Sequence, residues 1–462
     1  MSSPNKPPLP PYMNINPAEA AKRLSDPIDT TRFAKAASFA AKGREDLAKR
    51  GHAPDGEKHL RRFSTWEVCR YLIPVAPAHF RRVVKSNPEL PQGFGEGGSK
   101  WFTLEEIMTL RQHFAAEGAP DREYLPWRPK GLPAKIIAVA NFKGGVGKTS
   151  TATHLAMSAA LDGYKVLVID LDSQGSMTSI MGGKARDEWQ TVFPMLAKDY
   201  AINVEAENRE RAKTGANLLP LDETLTEARK INARDLIQST HRPNIDLIGA
   251  QLNLYWAEFQ VPVWRMQLRS WPLWDALNNA LSGEGILDDY DIVLLDTPPA
   301  LGYLTINALA AADILLVPLG ASFLEFDSTG RFFDMLYSTF ASIEDGENAV
   351  RRQNGLPEMK FEWDAVRAIV TRFDASQQTD LANVIQAYFG DFMTTYRQEM
   401  TAMVGQAGEN LNGIYESDYR EYNRETYVRG RETFDRTWAE VKEVLLGTWW
   451  RDQQMQQQQQ EE

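Results

Sequence analysis

The chain has 462 residues, with 51 Lys+Arg against 62 Asp+Glu, a formal net of −11, and 43% hydrophobic residues. That length exceeds one ordinary domain, and the composition is that of a globular protein. A single cysteine, Cys69, excludes a disulfide framework and a cysteine-rich metal site, and no run of 18 apolar residues is present to span a membrane.

The charge is unevenly spread. Residues 1–134 carry 21 Lys+Arg against 15 Asp+Glu, a net of +6, and the rest carries 30 against 47, a net of −17. The sign changes across a Pro/Gly-rich stretch, GAPDREYLPWRPKGLPA (118–134), which reads as a linker. The N-terminus, MSSPNKPPLPPYMN, has no apolar segment of the secretory kind, and residues 1–15 read as extended. Residues 29–50 read as one helix with Phe33, Ala36, Ala37 and Ala40 on a thin apolar face. A surface helix and a dimerisation arm both fit that face.

Ser64 and Glu67 form a capping box that starts a helix running to about Leu72 and ending before Pro74. Pro77 fits the first turn of a second helix, PAHFRRVVK. There Phe80, Val83 and Val84 face inward and Arg81, Arg82 and Lys85 outward. A glycine-rich hairpin-like segment follows, then a helix capped by Thr103 and Glu106. Helix, turn, basic helix, hairpin, helix is the order of a winged helix-turn-helix, with residues 57–117 as its extent. It resembles the DNA-binding head of MerR-type regulators. DNA contact would come from Arg81, Arg82 and Lys85.

From residue 135 strands alternate with helices: KIIAVANF, KVLVIDLD, NIDLIGA, YDIVLLDTPP, DILLVPL and VRAIVTRFD. Apolar strands separated by helices predict an α/β fold, a mostly parallel, doubly wound sheet. Region 185–280 is irregular, rich in Trp, Glu and Arg, and carries no evident chemistry.

One segment dominates the chemistry: Lys143-Gly144-Gly145-Val146-Gly147-Lys148-Thr149-Ser150, between a strand and a helix. Glycines let backbone N–H groups turn onto phosphate oxygens, and the helix N-terminus adds positive potential. Lys148 would reach the β- and γ-phosphates, and Thr149 would ligate Mg²⁺. The usual first glycine of this loop is replaced by Phe142. Asp170 and Asp172 follow one strand and Asp296 ends another, on the edge where a parallel sheet binds nucleotide.

KGGVGKTS, VLVIDLDSQGSMTS and YDIVLLDTPPALGYLTINALAAAD resemble the three ATPase motifs of the ParA partition ATPases, a deviant Walker A group of P-loop NTPases. The resemblance covers residues 135–446. The basic head makes the chain similar to the larger plasmid forms, including the RepA proteins of repABC replicons. It implies a plasmid-partition ATPase using ATP and Mg²⁺, in the cytoplasm on the nucleoid and without a membrane. It implies an ATP-sandwich homodimer in which Lys143 reaches the other subunit's phosphates. Asp172 would activate water, and Asp170 and Asp296 would support the metal. Family members commonly carry Pro where Ser173 stands. A ParB-type centromere-binding partner would stimulate hydrolysis, and the head would bind the protein's own operator as an autorepressor. Non-specific DNA contact would fall to Arg420, Arg424, Arg429 and Arg431, the first, second and fourth sharing a helix face.

Three other classes are weighed against this. A MinD-like membrane switch needs a basic amphipathic C-terminus, whereas this chain ends TWWRDQQMQQQQQEE, with 447–462 expected disordered. An iron–sulfur reductase needs paired cysteines. A transcription regulator in which the loop only senses nucleotide stays open as the alternative, with Asp172 arguing against it.

Overall fold

The computed structural model describes residues 30–49, 58–95, 100–117, 124–184 and 187–461. The proline-rich 1–15 segment, the hairpin tip 96–99 and the first part of the linker, 118–123, lie outside the described residues. The chain forms two units, Met1–Gly56 and Glu57–Glu462. In the first, Thr30–Lys49 is helical and its Phe33 and Phe39 are exposed.

The second unit begins with a two-stranded ribbon, β1 (Phe63–Ser64) antiparallel to β2 (Trp101–Phe102). Ser64 accepts the Glu67 N–H, and the Glu67 carboxylate accepts the Ser64 N–H at 2.9 Å, closing the expected capping box. The helix Thr65–Glu67 widens into a π turn, Val68–Leu72, before the break at Pro74. Pro77 opens the helix Pro77–Ser86, which buries Phe80 and Val84 and exposes Arg81, Arg82 and Lys85, with Val83 half-buried. Thr103 and Glu106 cap the helix Leu104–Glu117. The rings of Phe80, Phe102 and Phe114 join these pieces at centroid distances of 5.5 and 5.9 Å.

This segment shares its core with the larger part of the unit. Arg61 donates to Glu67 Oε1 at 2.7 Å, to the Tyr427 hydroxyl at 2.9 Å and to the Tyr415 carbonyl at 3.0 Å. The segment 124–134 is pinned as well: Tyr124 is buried, and Arg128 bonds the Leu132 carbonyl and Asp291.

The main sheet has seven strands: β3 (Lys135–Val139), β4 (Val166–Asp170), β5 (Gln238–Ser239), β6 (Ile245–Ile248), β7 (Ile292–Asp296), β8 (Ile314–Gly320) and β9 (Ala365–Thr371). Their order is β5-β6-β4-β7-β3-β8-β9, and only the β5–β6 pair is antiparallel. β3, β4 and β7 are buried at every position, as continuous apolar runs require when helices cover both faces. β3 lies between β7 and β8, so the crevice beyond the C-terminal ends of these strands is the natural ligand position. The tryptophans of the irregular region are core: Tyr200 stacks on Trp264 at 5.1 Å and meets Trp271 edge-on at 4.9 Å.

The C-terminus departs from expectation. Residues 447–462 were expected to be disordered, yet one helix runs from Arg424 to Glu461. Glutamine is a fair helix former, Trp449 is fully buried, and Asp452 pairs with Lys135 at 2.6 Å, so tertiary contacts carry the helix onward. Among the described residues no helix is long and apolar enough to cross a membrane.

Candidate nucleotide site

The loop after β3 turns sharply into the helix Lys148–Asp162. Gly145 and Gly147 have φ of 75° and 85°, a region in which side chains are strained. The loop is clamped from β9: Thr371 donates to the Val146 carbonyl at 2.7 Å and Arg372 to the Gly145 carbonyl at 2.8 Å. Arg372 itself has φ 51°, a strained position for a non-glycine residue, here set against the loop. Phe142, in place of the usual glycine, packs on Phe332 with ring centroids 5.8 Å apart. Lys148 is buried and donates to the Lys143 carbonyl at 3.1 Å, folding across the loop. Burial lowers its pKa, opposed by Asp296 and Asp172.

The register pairs Asp296 with Val139 on one side and with Asp170 on the other, so three strand ends stand level. Asp170 is hydrogen-bonded on both oxygens. Its Oδ2 accepts the Thr178 N–H and hydroxyl at 2.8 and 2.7 Å, and its Oδ1 accepts the Asp172 N–H at 3.1 Å. Burial raises its pKa to about 6. Asp296 is different: it is fully buried and neither oxygen has a hydrogen-bond partner. Burial, then the neighbouring Asp170, hold its pKa well above the carboxylate range. The Thr149 hydroxyl stands near enough to ease its ionisation without making a full hydrogen bond. A buried, unpartnered carboxylate beside a phosphate-loop threonine fits a divalent cation. Among the described residues no group of three His, Cys, Asp or Glu side chains could hold a metal alone. Mg²⁺ takes one or two protein ligands and fills the rest with phosphate oxygens and water. Of the expected trio, Asp296 has both oxygens without a hydrogen-bond partner, whereas Asp170 is held by Thr178 and Asp172.

Asp172 is half-buried, and its Oδ1 accepts the Gln174 N–H at 3.0 Å. The Gly175 N–H closes the turn on the Asp172 carbonyl at 2.8 Å, so the turn forms with serine at 173. Lys143 pairs with Glu325 at 2.8 Å, at the start of the helix Phe323–Gln353. Glu325, Thr371 and Arg372 escaped sequence reasoning because they belong to no motif and lie far along the chain.

The basic candidates divide. Arg81, Arg82 and Lys85 are exposed on one short helix, and Arg82 touches His79 at 2.9 Å. Arg420 lies in a separate turn, Tyr419–Glu421, bonded to Asp418 at 2.5 Å, so it shares no helix face with Arg424, the first residue of the C-terminal helix. Arg429 pairs with Glu399 at 2.6 Å and stays 61% exposed. Arg431, expected to contact DNA, is instead 3% exposed, paired with Asp435 at 3.0 Å and stacked on Tyr71 at 3.9 Å. Helical periodicity turns it inward, where it is a packing residue.

A family described as "AAA domain" matches residues 134–346. A candidate replication protein A of Sinorhizobium fredii is 30% identical over 423 residues, 88% of this chain and 91% of that protein. One of Rhizobium rhizogenes is 29% identical over 402 residues, 86% of this chain and 90% of that protein. A solved structure titled "Partition Protein" aligns with 89% of this chain and 98% of its own, at a TM-score of 0.54 and 16% identity, a likeness of fold. With the phosphate loop and the strand-end carboxylates in place, the chain belongs to the ParA-type partition ATPases.

Proposed function

We propose that the protein is a DNA-segregation ATPase whose nucleotide state switches it between a DNA-bound dimer and a free form. The observation that carries this is the unpartnered Asp296 carboxylate, level with Asp170 and facing the loop of Lys148 and Thr149. Backbone N–H groups of the loop and Lys148 hold the phosphates, and Lys143 would reach those of a second copy. Thr149 and Asp296 would hold Mg²⁺, which supplies neutralisation of phosphate charge. Asp172 orients a water for in-line attack on the γ-phosphorus. The bond to the bridging oxygen breaks, releasing ADP and phosphate.

Residues 57–117 support a winged helix-turn-helix reading, with Arg81, Arg82 and Lys85 turned to operator DNA. Arg420, Arg424 and Arg429 supply non-specific DNA contact, and the helix Thr30–Lys49 is a dimerisation arm. A ParB-type partner stimulates hydrolysis, on the nucleoid in the cytoplasm.

The test is ATP hydrolysis with and without non-specific DNA and a centromere-binding partner. Hydrolysis should rise with both additions. Lys148→Ala should abolish hydrolysis and ATP-dependent DNA binding. DNA binding that survives unchanged in Lys148→Ala would sink the proposal. Replacing Arg81 and Arg82 together by Ala should remove operator binding while basal hydrolysis stays; loss of both activities together would argue against a separable head.

A further inference from the structure

Where the 57–117 segment meets the start of the C-terminal helix, half-buried aromatic rings carry arginines on their faces. Trp101 and Tyr419 stack with centroids 6.0 Å apart and planes 11° from parallel. Trp66 stands 5.6 Å from Tyr419, its plane tilted by 56°. Two arginines lie on these rings, Arg420 over Trp101 at 4.6 Å and Arg424 over Trp66 at 4.9 Å. Trp66, Tyr419, Arg420, Tyr422 and Arg424 line an open cleft of about 340 Å³. The three rings are half-buried, and both arginines are exposed.

Tryptophan and tyrosine offer a flat π-face to any aromatic ring, without preference among bases. Guanidinium groups beside them attract phosphate and stack on bases as well. The cleft volume lies at the small end of the range for ligand pockets, suited to one planar ring system. Asp418 offsets part of the Arg420 charge. Arg70 continues the row past the cleft, over Trp66 at 5.9 Å and Tyr71 at 5.3 Å, further than one nucleotide needs. The 57–117 segment that supplies Trp66 and Trp101 carries nine Lys+Arg against seven Asp+Glu, a net of +2.

We propose that this cleft is a stacking site for an unpaired base of a DNA strand, with Arg420 and Arg424 on the flanking phosphates. The inference rests on the DNA-binding reading above, and extends it from duplex backbone to strand-separated DNA. It also makes the 57–117 segment and the C-terminal arginines one surface.

The test uses the full chain with ATP and Mg²⁺ and follows fluorescence anisotropy of a short oligothymidylate, a duplex of the same length, and thymidine monophosphate as competitor. The oligothymidylate should bind. Trp66→Leu should weaken it about tenfold, the loss of one stacked base, while duplex binding changes less than about twofold. Arg424→Ala, a surface change, should weaken the oligothymidylate and lower its salt slope by about one. An oligothymidylate carrying 5-bromouracil should photo-crosslink to the peptide containing Trp66 or Tyr419. Should Trp66→Leu fail to fold, Arg424→Ala with an unchanged melting temperature carries the test. Unchanged oligothymidylate affinity in Arg424→Ala overturns the inference. So does competition by thymidine monophosphate at the oligonucleotide's own affinity, which marks a free-nucleotide site. Duplex binding without oligothymidylate binding overturns the inference alone; binding of neither overturns the DNA reading too.

Discussion

Lys143 shows how a residue's role depends on its present partner. The resemblance assigns it to a second subunit's phosphates, yet here Glu325 holds it at 2.8 Å. Releasing it removes a half-exposed ion pair, of small worth by itself. Glu325→Gln should therefore leave the melting temperature nearly unchanged and lower the protein concentration at which ATP drives dimerisation, read by analytical ultracentrifugation. His154 is a second case. It is fully buried, stacked on Phe434 at 3.9 Å, and accepts the Ile414 N–H on Nε2, between Arg242 and Glu416. Burial lowers its pKa to about 4 from an ordinary 6.5. The unfolded imidazole thus binds a proton between those values while the folded one does not, so stability rises with pH across that window. The contribution is about 3 kcal/mol, lost as pH falls from 6.5 to 4. Asp170, raised to about 6, acts oppositely, since its folded form keeps a proton that the unfolded form loses. The two partly cancel, so His154 shows in a difference: His154→Gln should flatten the acid-side loss of urea stability relative to the parent. Arg431→Ala should cost about 3 kcal/mol by emptying the buried space over Tyr71 and Tyr415 and leaving Asp435 with the Tyr415 hydroxyl but without its cation, a stability defect visible in urea before any DNA measurement.

At the scale of elements, the helix Lys148–Asp162 is buried along most of its length. Its first turn belongs to the phosphate loop. His154 meets the 413–416 corner, the Ser158 hydroxyl bonds the Tyr415 hydroxyl at 2.5 Å, and Arg111 meets the Asp162 carbonyl at its last turn. The segment 57–117 therefore touches the far end of the helix whose near end carries the glycine-rich loop. The capping boxes at Ser64 and Thr103 were legible because their hydrogen bonds are local. The C-terminal helix was not: the run QQMQQQQQ has no apolar period, and its helix depends on Trp449 and on Asp452 meeting Lys135, residues distant in sequence. Ending the chain at Gly447 should cost about 3–5 kcal/mol, as for loss of one buried tryptophan, and shift the urea midpoint accordingly. A tail without structure would leave that midpoint where it was.

For the whole molecule, the net charge of −11 hides a basic first third and an acidic remainder. The sequence by itself determined the sheet, because apolar runs of five residues bounded by glycine and aspartate admit few other structures. It determined the phosphate loop as well, because glycines and lysines at fixed spacing act through the local backbone. The tertiary structure alone decided which carboxylate is left unpaired, which arginine turns inward, and which glutamate holds Lys143. Asp170 and Asp296 look alike in sequence, each closing an apolar strand. Only the partners brought by Thr178 and Asp172 separate them. Partners of that kind are set by packing between elements far apart in the chain, which short-range spacing cannot encode.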